Sequence, residues 1–374
     1  MPSSFVRRMG VGLLLCTPFA SSTATFGADE PARLDFVPAT ADEPMAREFS
    51  LAQAARSLDA AALAWQSQNK CSQCHANFMY LTARPALAKF VAPPPEVRQM
   101  YESLVSQRWE KIGLRYPSEA MVVAVPLAFN DRQTTGKLHP LTKKALDRML
   151  THQRPDGGWN PIGGSARTFI LEYEETLLAT LGIAVAPDDY AKTEAAQAAL
   201  TRVREYLKTH QPKTPYQKGM LLWAARQMDV AGTLRVPSAG HATRSVPTSD
   251  DLLPEADRRP MAESLLTLQA ADGGWAIENL VAGSTTFEKF DVSLDRASNG
   301  YGTGFVIFTA RQAGVPAADP RLQRGIAWLK ASQRSSGRWF TPTLSINTLQ
   351  NLPSNSGTAF AVLALQACGE IPDD

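Results

Sequence analysis

Hydrophobic and polar residues alternate along this chain in two kinds of segment. Segments such as 141–153 (LTKKALDRMLTHQ) and 319–333 (DPRLQRGIAWLKASQ) combine charged residues with an apolar stripe at helical spacing. Segments such as 176–186 (TLLATLGIAVA) and 357–367 (GTAFAVLALQA) are apolar almost all round. Because a helix with one polar face belongs at a surface and a helix without one belongs inside, the alternation predicts hairpins of one outer and one inner helix.

A short glutamine, glycine and tryptophan pattern recurs between these segments. It stands at 152–161 (HQRPDGGWNP), 268–277 (LQAADGGWAI) and 332–341 (SQRSSGRWFT). Further glutamines divide the chain into six units of roughly 40 to 64 residues, the period of a helical array. With no competing strand pattern, the sequence predicts an all-α protein: a single (α/α)6 toroid of about twelve helices over 48–374, with an outer amphipathic ring and an inner apolar ring. The glutamines that mark the units are Gln68, Gln107, Gln153, Gln211, Gln269 and Gln333.

The Gln-x3-Gly-x-Trp pattern resembles the QW repeat of squalene–hopene and oxidosqualene cyclases. The stretch 299–340 resembles the C-terminal helices of squalene-cyclase-like proteins, and the resemblance covers most of residues 50–370. It implies an α/α toroid of the terpenoid cyclase and prenyltransferase-repeat type. In such a turn the glycines permit tight geometry and the glutamine can bond a helix end. The three tryptophans are expected to pack between neighbouring hairpins, as structural residues.

The N-terminus differs in character from the repeats. Arg7 and Arg8 precede the apolar stretch 9–20, which is too short to span a bilayer. This pattern predicts a signal peptide over 1–28, with cleavage near 24–28. Residues 29–47 are rich in Ala, Pro, Asp and Glu and predict a disordered extension. We therefore expect an exported protein, periplasmic or secreted, without a transmembrane segment and with peripheral membrane contact as its closest approach to lipid.

Charge excludes one class of partner. Lys and Arg number 38 against 36 Asp and Glu, so the net charge of +2 provides no basic field for nucleic acid. Cysteine usage is equally informative, because an exported chain would lose Cys16 with its signal and keep three cysteines. An odd number is a poor disulfide framework.

Cys71-Ser72-Gln73-Cys74-His75 resembles the attachment site of c-type cytochromes. The resemblance implies that Cys71 and Cys74 bind the vinyl groups of haem c and that His75 is the proximal iron ligand. Met79 lies too close to His75 on one helix to reach the opposite haem face. The alternatives are a Cys71–Cys74 disulfide or free dithiol, and a zinc site whose fourth ligand the sequence does not identify.

Glu172-Tyr173-Glu174-Glu175-Thr176 opens an inner helix and resembles the Asp-x-Asp-Asp-Thr motif of squalene–hopene cyclases, with Glu for Asp. The resemblance implies that Glu174 protonates a terminal alkene while Glu172 and Glu175 support it. The alternative is that these acids complement the dipole of a first helical turn.

The resemblance also implies an apolar cavity lined by aromatic rings that stabilise cations. The implied function is acid-initiated cyclisation of an apolar isoprenoid. A c-type haem redox or carrier protein and a non-catalytic binding toroid are the alternatives, and aromatic rings on such helices more often form core than line a cavity. The candidate cavity residues on inner helices are Trp223, Tyr301, Phe305, Phe308 and Phe360.

Overall fold

A computed structural model describes residues 39–69, 78–161, 172–233, 251–283, 296–342 and 351–372. Within these ranges the chain is helical apart from turns, and β pairing is limited to one isolated bridge between Met45 and Arg334. The all-α prediction is therefore confirmed. The predicted signal peptide, 1–28, lies outside the described residues.

Most of the described residues belong to α-helices, and short π or 3-10 segments adjoin some of these helices. In chain order the helices are α1 (Leu51–Asn69), α2 (Tyr80–Ala83), α3 (Glu96–Ser103), α4 (Trp109–Ile112), α5 (Glu119–Thr134), α6 (Pro140–Leu150), α7 (Glu172–Val185), α8 (Glu194–Thr209), α9 (Pro215–Thr233), α10 (Glu255–Leu266), α11 (Ile277–Leu280), α12 (Gly300–Gln312), α13 (Pro320–Ala331) and α14 (Asn351–Ala367).

One set of helices is buried on every side, as their sequences predict. In α5 every residue from Glu119 to Asp131 is buried, and in α12 every residue from Gly300 to Ala310. These helices pack in chain order, α5 on α7, α7 on α9, α9 on α12 and α12 on α14. Helix α14 then contacts α2, which contacts α5, so the order of packing returns to its beginning.

The amphipathic helices pack against this buried set. Helix α6 packs on α5, α8 on α7, α10 on α9, α13 on α12 and α1 on α14. Only one face of each is buried; in α6, for example, the residues that face inward are Thr142, Ala145, Leu146 and Met149. Outer and inner helices thus alternate along the described parts of the chain.

The buried helices α12 and α14 run in the same direction. A Cβ on Gly357 of α14 would lie 2.9 Å from the backbone nitrogen of Tyr301 in α12, and a Cβ on Gly304 would lie 2.5 Å from that of Ala361. Residue numbers therefore increase in the same direction along both helices. The absence of side chains at these glycines is what permits such close packing.

The three tryptophan turns share one set of contacts. Each indole Nε1 donates to a carbonyl near the end of the preceding amphipathic helix, at 3.0 Å for Trp159, 3.1 Å for Trp275 and 2.7 Å for Trp339. All three rings are buried. This confirms the structural role that the sequence predicts for them.

The glutamine of each turn bonds the next amphipathic helix as well as its own turn. Gln153 Nε2 donates to the carbonyls of Gly157 at 2.9 Å and Ala199 at 3.0 Å. Gln269 Nε2 donates in the same way to Gly273 and Arg321, both at 2.8 Å. Gln153 and Gln269 therefore each connect two consecutive hairpins through hydrogen bonds.

Composition predicts disorder for residues 29–47, but the part of this segment that the structure describes is held in place. Ala46 N donates to Gln333 O at 2.7 Å, and Ser335 N donates to Pro44 O at 2.8 Å. Ala39 and Glu43 are buried. The disorder prediction is thus corrected for residues 39–47, because their partners lie in the third tryptophan turn.

Candidate functional site

The acidic motif predicted as catalytic lies at the start of α7, and two of its carboxyl groups are inside the protein. Glu174 is 2% exposed and Glu175 is fully buried. The helix begins at Glu172, whose side chain lies outside the described part of the structure. Acids that serve a helix dipole at a surface remain in water, so the burial of Glu174 and Glu175 requires a different explanation.

The last residue of the motif has a structural role. Thr176 Oγ1 accepts a hydrogen bond from the backbone nitrogen of Trp159 at 3.3 Å. Thr303 does the same for Trp275 at 2.9 Å, and Thr358 for Trp339 at 3.2 Å. The threonine is therefore part of each tryptophan turn.

These threonines place the three inner helices in a common register. In that register Glu174 occupies the position of Tyr301 in α12 and Ser356 in α14, and Glu175 occupies that of a glycine in both. Among these three helices, α7 alone has carboxyl groups at these two positions, whereas the threonine is common to all three.

Two tyrosines from neighbouring helices meet inside the protein. The hydroxyl oxygens of Tyr216, in the first turn of α9, and Tyr301, in the first turn of α12, lie 2.9 Å apart. Burial raises the pKa of Tyr216 well above its usual value, and the neighbouring Tyr301 and the charge of Glu174 add to the shift. Burial likewise raises the pKa of Tyr301, and Glu174 again contributes. Glu174 is thus close enough to act electrostatically on both hydroxyls.

A third tyrosine reports the same carboxyl group. Tyr173, which precedes Glu174 in α7, is buried, and burial raises the pKa of its hydroxyl. The charge of Glu174 is the second cause of this increase, and Tyr206 of α8 is the third.

The structure brings all five candidate cavity residues into one aromatic cluster on α9, α12 and α14. Phe360 is central: its ring centroid lies 4.9 Å from Tyr301, 5.3 Å from Phe305, 6.3 Å from Trp223 and 6.4 Å from Phe308. All five side chains are buried. The cluster reaches the tyrosine pair through Tyr301 itself.

Sequence reasoning missed two members of this neighbourhood. Tyr216 stacks on Phe305 at 4.6 Å, and Phe129 of α5 lies 5.4 Å from Trp223. The fourth unit lacks the Gly-x-Trp pattern that precedes the inner helix in other units. The available signal was Pro215, because proline is typical of the first position of a helix, and Tyr216 follows it.

A further buried carboxyl group stands near Tyr301. Glu278 in α11 is buried, and its Oε2 accepts a hydrogen bond from Asn299 Nδ2 at 3.1 Å. Asn299 also caps α12, because its side-chain oxygen accepts from Gly302 N at 3.0 Å. No sequence motif indicated this pair.

The candidate haem ligands Cys71, Cys74 and His75 lie outside the described residues, but the residues on either side of them are joined by a buried ion pair. Arg84 bonds Asp59 of α1 through Nε at 2.8 Å and Nη2 at 2.9 Å. Tyr80 Oη donates to the same carboxylate at 2.6 Å, and burial followed by the charge of Asp59 raises its pKa. Arg84 Nη1 is buried without a hydrogen-bond partner.

Comparisons with known proteins add nothing to these observations: no protein-family model matches the chain, and no curated protein matches it either. Across the described ranges, no group of three or more His, Cys, Asp or Glu side chains is arranged to hold a metal ion. The helices in those ranges also include none with the length and apolar character needed to cross a membrane.

Proposed function

We propose that the hairpins close into a single (α/α)6 toroid of the squalene-cyclase-like type. Three observations support closure. The buried helices pack in chain order and α14 returns to α2, the amphipathic helices lie outside them, and the glutamine of each tryptophan turn bonds the next amphipathic helix. The fold alone does not assign a function, because function resides in the site.

We further propose that the protein catalyses acid-initiated cyclisation of an apolar isoprenoid, with Glu174 as the proton donor. The observation that carries this proposal is the burial of Glu174 on an inner helix, close to Tyr216 and Tyr301 at the edge of an aromatic cluster. A carboxyl group withdrawn from water and next to apolar rings is suited to donate a proton to a substrate that has no polar group.

The reaction balances without a co-reactant. The proton of Glu174 adds to the less substituted carbon of a terminal double bond, and the π electrons of that double bond form the new C–H bond and leave a tertiary carbocation. A neighbouring double bond then attacks the cation and closes a ring. Loss of a proton from a carbon next to the final cation gives a neutral isomer of the substrate. The carboxylate of Glu174 then regains a proton. The paired hydroxyls of Tyr216 and Tyr301 can orient the approach of this proton to the carboxylate.

The remaining acids and rings support this step. Glu175 is fully buried in the same turn, and burial disfavours the loss of its proton. By resemblance, Glu172 has the same supporting role. The faces of Trp223, Phe305 and Phe360 offer quadrupoles that attract a developing carbocation.

The proposal is tested with purified protein and squalene in detergent micelles, with products separated by gas chromatography and identified by mass spectrometry. Wild type is expected to form cyclic products, and Glu174→Gln to lose nearly all turnover. Glu205→Gln, in an exposed pair with Lys208 on α8, is the matched control and should retain turnover. Turnover by Glu174→Gln would contradict the assignment, and bound but unchanged squalene would indicate a non-catalytic binding toroid.

Export to the periplasm or to the medium, with peripheral contact to the membrane that holds an apolar substrate, belongs to the same proposal. Its support is the arginine pair followed by the apolar stretch 9–20. N-terminal sequencing of the mature protein should begin between about residues 24 and 29. A mature protein that retains Met1 would contradict export.

A second candidate is covalent haem c on Cys71 and Cys74, with His75 as proximal ligand. The specific observation in its favour is Arg84 Nη1, a buried donor without a partner on the described side of the motif, which suits an anionic group such as a haem propionate. The haem would supply one-electron chemistry. The protein expressed with active cytochrome maturation should show a haem absorption band and the corresponding added mass. Cys74→Ser should lose the thioether at that position, and a colourless wild type would reject haem.

A further inference from the structure

The segment 43–50, here termed the N-terminal strap, lies against the third tryptophan turn. Besides the two backbone hydrogen bonds already described, Arg334 Nη1 donates to Glu43 O at 2.7 Å. Ser50 N donates to Gln333 Oε1 at 2.8 Å, and Gln333 Nε2 donates back to Ser50 O at 2.9 Å. The strap is therefore attached to this turn at both of its ends.

The first and second tryptophan turns stabilise themselves with an internal carboxylate. Asp156 Oδ1 accepts from Gly158 N at 3.0 Å, and Asp272 Oδ1 accepts from Gly274 N at 3.0 Å. An aspartate whose side chain accepts a hydrogen bond from the backbone N–H two residues later forms an Asx turn, which stabilises the loop locally.

The third turn lacks this arrangement. In the register set by the glutamines, Ser336 stands where the other turns have aspartate, and Arg338 stands where they have the second glycine. The turn has therefore lost its own carboxylate and gained a cation. Arg338 is only 4% exposed, so its guanidinium needs a compensating negative charge close by.

Glu43 of the strap supplies that charge. Its Oε1 accepts a hydrogen bond from Ser336 N at 2.8 Å, and its Oε2 lies 3.7 Å from Arg338 Nε. Glu43 is 9% exposed, and Ser336 Oγ accepts from Arg338 Nε at 2.8 Å within the same cluster. The carboxylate of Glu43 thus lies close to both residues that distinguish the third turn, Ser336 and Arg338.

We propose that the N-terminal strap is a latch that fastens the last hairpin to the first helix, with Glu43 replacing the aspartate that the third turn lacks. The other two turns contact the next helix through arginine, since Arg202 and Arg324 each donate to the glutamine Oε1. Helix α1 has Gln53 at the equivalent position, beside Gly337, and the strap provides the missing contacts. The hydrogen bonds of the latch join residues that are 283 to 293 positions apart in the sequence. The latch therefore requires both the N-terminal strap and the third tryptophan turn.

The latch can be tested by hydrogen exchange of the full mature chain, followed by mass spectrometry. Glu43→Ala should speed exchange of peptides covering 333–341 by roughly tenfold or more, because a charge-assisted bond and the partner of a buried cation are both lost. The corresponding peptides at 153–159 and 269–275 should not change, since those turns have their own aspartates. Glu48→Ala, an exposed acid in the same strap, is the matched control and should leave all three turns unchanged.

A rescue variant separates the latch from general destabilisation. Adding Ser336→Asp to Glu43→Ala restores a carboxylate at the position that the other two turns use, and should return the exchange of 333–341 most of the way to wild type. If Glu43→Ala affects all three turns equally, or no more than Glu48→Ala does, the latch is wrong. Failure of the rescue would overturn the substitution of Glu43 for aspartate.

Discussion

The side-chain amide of Gln333 donates a 2.9 Å hydrogen bond to the carbonyl of Ser50, a residue 283 positions earlier in the chain. Gln153 and Gln269 make the corresponding bond to the next amphipathic helix along the chain, α8 and α13 respectively. The last glutamine instead reaches the first helix. The same side chain therefore joins neighbours in sequence in two turns and the two ends of the domain in the third.

This relationship predicts an unequal effect of glutamine removal. Gln333→Ala loses three hydrogen bonds, to Ser50 N, Ser50 O and Gly337 O, and should lower the unfolding free energy by about 3 kcal/mol. Gln211→Ala loses one bond, to Leu207 O in the last turn of the preceding helix α8, and should cost about 1 kcal/mol or less. Urea unfolding of both variants measures the difference. Equal values would show that Gln333 does not fasten the ends.

The turn glycines allow a second comparison. Gly157 has a φ of 92°, and a Cβ there would lie 2.1 Å from the carbonyl oxygen of Arg202, which belongs to the helix backbone. Gly136 has a φ of 65° and nothing within 4 Å of the same Cβ. Gly136→Ala should cost about 1–2 kcal/mol for the left-handed backbone alone, and Gly157→Ala should cost clearly more. Thermal unfolding of the two variants provides the test.

Alkaline pH should destabilise the protein through its buried tyrosines. Tyr80, Tyr173, Tyr216 and Tyr301 all have a pKa raised mainly by burial, so the folded state keeps protons that the unfolded state releases above pH about 10. Stability is therefore constant with respect to these groups below pH 10 and falls above it. Each such tyrosine contributes a slope of about 1.4 kcal/mol per pH unit. Urea unfolding between pH 8 and 11 should show the decline, and Tyr301→Phe should make it shallower.

The buried ion pair of Asp59 and Arg84 should be far more sensitive than exposed pairs. Asp59→Ala leaves the Arg84 guanidinium buried without its counterion and should cost about 3–5 kcal/mol. Removing Glu205, which pairs with Lys208 in water, should change stability little. Chemical denaturation of the two variants compares them. A small effect of Asp59→Ala would mean that water reaches Arg84 in the folded protein.

Local pattern predicted the buried helices well, because an all-apolar helix such as α5 or α12 leaves few alternatives to the interior. The glutamine and tryptophan contacts of the first two turns could equally be predicted from the sequence, since they lie within one hairpin or between neighbouring hairpins. The attachment of the N-terminal strap could not be predicted from such local patterns. Its composition is polar, and the carboxylate of Glu43 finds its partner at Ser336, so the ordering free energy comes from residues that no local pattern connects.

The candidate site divides along the same line. Glu174 and the five cavity candidates could be named from a motif and from apolar helices. The pairing of Tyr216 with Tyr301 could not, because it depends on the packing of α9 against α12. Glu278 was hidden for the same reason, since its partner Asn299 lies 21 positions further along the chain.

The central claim is that Glu174 delivers a proton to an alkene carbon, and the most direct test is turnover of squalene in D2O. A carboxyl group that exchanges with solvent delivers deuterium, so the cyclic product should contain one deuterium at the carbon that was protonated, while recovered squalene stays unlabelled. Mass spectrometry and NMR locate the label. Labelled product from wild type and Glu205→Gln, and none from Glu174→Gln, is the predicted result. Cyclic product without deuterium, or labelled product from Glu174→Gln, would contradict proton donation by this residue.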